Sequence, residues 1–124
     1  MLDHVFGLTG RTGLGSDWSP AVDIAEEAKS FAIVVEIPGV KADQIKVQVD
    51  GNRLTIAGEK KAEADATTDR VLRFERRYGS FFRAFVLPET VDTAGIQATA
   101  KDGVLRVTLP KVVRPEPKTI PVAA

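Results

Sequence analysis

Ile45-Lys46-Val47-Gln48-Val49-Asp50-Gly51-Asn52-Arg53-Leu54-Thr55-Ile56-Ala57-Gly58-Glu59 is the stretch whose reading decides the fold. Apolar Ile45, Val47 and Val49 alternate with polar Lys46, Gln48 and Asp50, so successive side chains fall on opposite faces of an extended strand. Gly51-Asn52 turns the chain, and Leu54 and Ile56 resume the alternation up to Gly58, which predicts a β-hairpin.

The same period of two runs outward in both directions. Upstream, Ala21-Val22-Asp23-Ile24 alternates, and Phe31 to Ile37 is an apolar, β-branched run stopped by Pro38-Gly39. Downstream, residues 60–70 contain nothing apolar larger than alanine and read as a long solvated loop. Val71 to Arg77 is strand-like, and after Tyr78-Gly79 another strand runs from Phe81 to Leu87 before Pro88. Ile96, Ala98 and Ala100 alternate up to Lys101-Asp102-Gly103. Leu105, Val107 and Leu109 follow, forming a second predicted hairpin that ends at Pro110. About eight short strands with little helical period predict an all-β, immunoglobulin-like antiparallel β-sandwich.

The chain divides into three parts on this reading. Residues 1–17 are punctuated by Gly7, Gly10, Gly13 and Gly15 and predict a flexible N-terminal arm. Its Leu2, Val5, Phe6, Leu8 and Leu14 are costly to leave in water, so they are expected to bury against something at rest, another subunit included. Residues 18–110 form the sandwich, with Trp18 capping one end. Residues 111–124 carry Pro115, Pro117 and Pro121, which lack amide donors and favour extended geometry, so the tail is not expected to belong to the sheet. Ile120-Pro121-Val122 is an apolar patch stranded in that tail.

Composition narrows function. At 124 residues the chain has the size of one domain. Lys+Arg and Asp+Glu are 17 each, which removes the broad positive field that nucleic-acid or anionic-membrane binding needs. There is no cysteine, so disulfides and thiolate chemistry are excluded. No apolar run approaches the length of a membrane span, and the acid at Asp3 with no basic start is unlike a secretory signal; no stable membrane insertion and a cytoplasmic location are expected.

Catalytic constellations are absent from the pattern. His4 is the only histidine and has no second ligand or triad partner. The arm glycines lack the preceding strand and following Gly-Lys-Ser/Thr of a phosphate loop. Asp23, Glu36, Glu59, Glu75 and Glu89 fall at strand ends or on polar faces, where solvation or ion pairing is the ordinary outcome. Phe81 and Phe85 share one strand face with Arg83, and Phe82 and Ala84 share the other. Both faces are therefore expected to be partly buried, and an enclosed Arg83 needs a carboxylate partner. Glu75-Arg76-Arg77 either protects a strand edge or makes an ionic contact with a partner. The chain therefore reads as no enzyme, with no cofactor and no metal.

Six segments, in order, resemble the small heat-shock protein, or α-crystallin domain, family. They are Trp18 to Ile24, Glu36-Ile37-Pro38-Gly39-Val40, Leu54-Thr55-Ile56-Ala57-Gly58-Glu59, Glu75 to Pro88, Ala100 to Leu105, and Ile120-Pro121-Val122. The fifth has one fewer residue between Ala100 and Gly103 than the family's A-x-x-x-G-x-L pattern, but keeps the Gly103 and Leu105 hairpin signature.

The resemblance implies an ATP-independent holdase that binds non-native client proteins and prevents their aggregation under stress. It also implies a homodimer built by strand exchange, with Val71, Leu72, Arg73, Phe74, Glu75 and Arg76 pairing with a partner's sheet. Larger homo-oligomers would form when Ile120, Pro121 and Val122 enter a groove lined by Ile45, Val47, Val49, Ile96, Ala98 and Ala100 of another dimer. Val5, Phe6, Leu8 and Leu14 of the arm, which is shorter than most in the family, would contact clients. The alternative is a monomeric, co-chaperone-like sandwich that binds one folded partner.

Overall fold

Alternation becomes seven strands in the computed structural model, which describes residues 17–62, 70–113 and 117–124. They are β1 (Val22–Glu26), β2 (Ser30–Glu36), β3 (Ile45–Asp50), β4 (Arg53–Lys60), β5 (Gly79–Val86), β6 (Gln97–Lys101) and β7 (Val104–Pro110). Short 3-10 turns at Ala42–Gln44 and Thr93–Gly95 lead into β3 and β6. All pairings are antiparallel, in a four-stranded sheet of order β1-β2-β7-β6 and a three-stranded sheet of order β3-β4-β5.

Residues paired across a ladder share a face, so the registers read out the core. In the four-stranded sheet Ile24, Ile33, Val107 and Ala98 form one inward row, and Val22, Val35, Leu105 and Ala100 the next. In the other sheet the rows are Ile45-Gly58-Phe81, Val47-Ile56-Arg83 and Val49-Leu54-Phe85. Row members on β2, β7 and, apart from Gly58, β4 are fully buried, as are Phe81 and Phe85 on β5; those on β1, β3 and β6 are half-buried or exposed. Each fully buried aliphatic or aromatic side chain contributes roughly 1.5–3 kcal/mol, so cohesion concentrates in β2, β7, β4 and β5.

Two glycines make this packing possible. A Cβ on Gly58 would stand 2.5 Å from the Gln44 carbonyl oxygen and 2.6 Å from Phe81 Cζ, because the phenyl ring fills the space that Gly58 leaves in its row. Gly103 has φ +77° and lies against Pro38, with the Ile37 N–H donating to the Gly103 carbonyl at 2.8 Å. That contact ties the β6–β7 hairpin to the end of β2, and Leu105 enters the core beside it.

The strand expected over Val71 to Arg77 is not formed. Residues 70–78 carry no strand in the single chain, and Leu72 and Phe74 are largely exposed. An extended segment gains nothing without a ladder partner, and the head of β5 is occupied. The Asp17 N–H donates to the Ser80 carbonyl, and Trp18 bridges to Phe81.

Gly58→Ala is expected to cost about 1–3 kcal/mol by overpacking. Gly51→Ala, at φ +60° with open space around it, is expected to cost about 1–2 kcal/mol through backbone strain alone. Urea unfolding followed by circular dichroism ranks the two, and Gly58→Ala should also expose Phe81.

Candidate functional site

A sandwich of two open sheets has four edges, and their management defines the surfaces available for binding. The crossing from Asp17 to Ala21 closes one side, between β5 and β1. Trp18 is nearly buried, its ring 5.2 Å from that of Phe81, and its Nε1–H donates to the Gly79 carbonyl at 3.0 Å. Asp17 Oδ2 accepts from the Ser80 N–H and hydroxyl at 2.8 and 3.2 Å. Farther along, the Glu36 N–H donates to the Ala21 carbonyl. Asp17, read from sequence as the end of the arm, is therefore docked on the sandwich.

Arg83 lies beneath this crossing. Its Nη1–H donates to the Pro20 carbonyl at 2.9 Å and its guanidinium stands 5.6 Å from the Phe85 ring. Nε is buried without a hydrogen-bond partner, and desolvation lowers the guanidinium's pKa from its usual value. The contact found for Arg83 is thus a main-chain carbonyl and a ring face, where a carboxylate was expected. Only the position of Pro20 across the gap makes that possible.

The opposite side is bordered by β3 and β6, the two remaining edges. Ile45 and Val47 are half-buried, Val49 is more exposed, and all three face inward. Ile96 is half-buried, whereas Ala98 and Ala100 are exposed although their register neighbours Val107 and Leu105 are buried. Alanine is too short to close the gap. Where Val40 and Ala42 lead towards β3, a depression of about 140 Å³ opens against Ala100 and Val104. Of the six residues expected to line a groove, Ala100 borders this depression; Ile45, Val47 and Ile96 pack against the edge of the core, and Val49 and Ala98 are exposed.

The tail begins later than Pro110 suggests. Lys111 bridges to Val91, its N–H donates to the Lys29 carbonyl, and the Val112 N–H donates to the Thr90 carbonyl. Lys111 Nζ pairs with Glu26 at 2.7 Å over the Phe31 ring, beside an Arg106–Glu27 pair at 2.9 Å. Beyond this root Ile120 and Val122 are 76% and 95% exposed, so they occupy no groove of their own chain.

Within 70–78, Arg73 and Glu75 lie 3.9 Å apart, Phe74 stacks on Tyr78 at 5.4 Å, and Arg76 sits over the Tyr78 ring at 5.3 Å. The arm residues Val5, Phe6, Leu8 and Leu14 lie outside the described residues. Asp23, Glu36, Glu59, Glu75 and Glu89 are all exposed, and among the described residues no three metal-ligating side chains cluster. No helix among them is long and apolar enough to cross a membrane. Sequence reasoning missed Lys60, whose ammonium lies near both Trp18 and Tyr78, because no short-range pattern brings those three positions together.

A model of the Hsp20/alpha crystallin family matches residues 23–123. A 17.3 kDa class II heat shock protein of Solanum peruvianum is 46% identical over 97 residues, covering 77% of this chain and 63% of that protein. Spore protein SP21 of Stigmatella aurantiaca is 38% identical over 105 residues, covering 85% and 62%. The chain thus spans less than two thirds of the length of these curated relatives. A small heat-shock protein from Xylella fastidiosa, whose crystal structure reveals a distinct high order structure, superposes with a TM-score of 0.78. It is 41% identical, with 88% of this chain and 100% of that one covered.

Ala98→Asp is expected to leave unfolding free energy within about 1 kcal/mol of the parent, because the side chain already meets water. Val107→Asp, its ladder neighbour, buries an unpaired carboxylate and is expected to abolish folding. Far-UV circular dichroism and a urea titration distinguish the two.

Proposed function

The chain belongs to the Hsp20/alpha crystallin family, and on that premise we propose that it is an ATP-independent holdase that assembles with itself and captures non-native proteins. The observation that carries this reading is apolar surface concentrated on segments outside the sheets. Val71, Leu72 and Phe74 lie exposed before β5, and Ile120 and Val122 after β7, while the β3–β6 margin offers an apolar seat. Large side chains held in water on unladdered segments suit partners that arrive from outside.

Two kinds of self-contact follow. Val71 to Arg76 of one copy adds a strand to the free outer edge of β1 in another, which covers Val22 and Ile24 and satisfies both sets of main-chain groups. Ile120 and Val122 enter the β3–β6 margin of a further copy, with Pro121 restricting the free tail beforehand. Burying the two side chains contributes roughly 1.5–3 kcal/mol each, against about 1–2 kcal/mol for each tail residue ordered. A single tail is nearly neutral, and many tails closing one assembly hold because each later attachment is intramolecular. The high order structure of the Xylella fastidiosa relative supports an assembly of this kind.

Reversible attachment gives the holdase its mechanism. A detached tail leaves the margin and the tail apolar groups open to unfolding chains, which they hold by non-directional burial without nucleotide. The arm residues Val5, Phe6, Leu8 and Leu14 supply further contact, and the cytoplasm is the proposed location.

Ile120→Ser/Val122→Ser is expected to reduce the mass in light scattering from a large oligomer to about that of a dimer. An unchanged mass overturns the tail's role. The parent is expected to suppress aggregation of a heated model client without ATP, and a monomeric parent with no such effect favours the co-chaperone-like alternative.

A further inference from the structure

Lys60, the last residue of β4, is paired in register with Gly79, the first of β5. Its ammonium stands 5.7 Å from the Trp18 ring centroid and 5.6 Å from that of Tyr78. Its stem passes Gly39 so closely that a Cβ there would lie 3.0 Å from the lysine Cε. One cation thus touches two rings that belong to different parts of the chain.

Those rings have different consequences. Tyr78 is the root of the exposed segment Val71 to Arg76, whose Arg76 and Phe74 also contact its ring. Trp18 starts the crossing that leads to β1, the edge strand with a free outer side. Arg76 and Phe74 lie on the candidate exchange strand itself and would leave with it, whereas Lys60 belongs to β4. We propose that the Trp18–Lys60–Tyr78 stack is a positioning clasp: Lys60 fixes the direction in which a subunit offers Val71–Arg76 relative to the β1 edge at which it receives the same segment from a second copy. The proposal rests on the strand-exchange reading.

The physical requirement comes from symmetry. Two copies that exchange identical strands close on each other only if donor root and receiving edge hold one mutual orientation; otherwise each copy donates to one neighbour and receives from another, in an open chain. Cation–π attraction to both rings supplies that orientation without occupying either edge.

The test follows mixing of isotopically heavy and light full-length protein by native mass spectrometry, which separates exchange of subunit pairs from exchange of single subunits. In Lys60→Met, which keeps the stem and loses the charge, single-subunit mixing is expected to rise about 5- to 30-fold, as loss of two partly exposed cation–π contacts implies. Lys60→Arg is expected to stay within about twofold of the parent. In the Lys60→Met background, Tyr78→Leu is expected to add less than about twofold, since the two share one interaction. Emission of Trp18, the only tryptophan, reports the stack in each folded variant. A shifted Trp18 emission with single-subunit mixing unchanged in Lys60→Met overturns the clasp. Deletion of residues 71–76 serves as the control. Loss of pairs upholds strand exchange and leaves the clasp to be judged by Lys60→Met, whereas persistence of pairs overturns strand exchange and the clasp with it.

Discussion

Burial of Ile33, Val35, Val107 and Leu105 against Leu54, Ile56 and Phe85 is the interaction on which the other features depend. These side chains occupy the centres of the inward rows, and the rows thin towards the margins, to alanine at β6 and to half-exposed valines at β3. A core that tapers in this way stabilises the sandwich from the middle and leaves its perimeter only partly satisfied. The thinly covered margin between β3 and β6 results from that taper, whereas the open edge of β1 follows from strand order.

The two sides of the sandwich resolve the same problem differently. Between β5 and β1 the chain covers its own gap, using Trp18 in the core, the Asp17 carboxylate on Ser80, and the Pro20 carbonyl on Arg83. Between β3 and β6 nothing in the described chain performs that service. Apolar surface at one margin and apolar side chains on the segments before β5 and after β7 are both left uncovered by the described chain. On the proposed function, self-association and capture of unfolded chains would draw on the same uncovered area and so compete for it.

Strand alternation was readable because its period is set by backbone geometry, and the rows Ile45-Val47-Val49 and Leu105-Val107-Leu109 stand where their spacing places them. The first five of the six segments that resemble the α-crystallin domain were readable for a related reason: each marks a turn, a close approach or a core contact, as Gly58 and Gly103 do. Other features depend on tertiary position. Arg83 finds a main-chain carbonyl, which has no residue signature, and Asp17 docks 63 positions away at Ser80. Alternation at Val71 to Arg77 reveals a capacity to form a strand. Whether the strand exists depends on a ladder partner that the single chain does not supply. At β6, alternation identifies the inward side correctly yet says nothing of exposure, because alanine faces the core without filling it.

The clamped root of the tail has one more implication. Main-chain hydrogen bonds to Lys29 and Thr90 hold the chain as far as Val112, so the tether before Ile120 consists only of residues 113–119. At roughly 3.1–3.6 Å per residue it spans at most about 25 Å. If the tail attaches as proposed, it would act as a ruler: only a subunit whose β3–β6 margin lies inside that radius could be engaged. On that reading, the count of residues between the clamp and the anchor would limit the subunit spacing of an assembly without altering a contact surface.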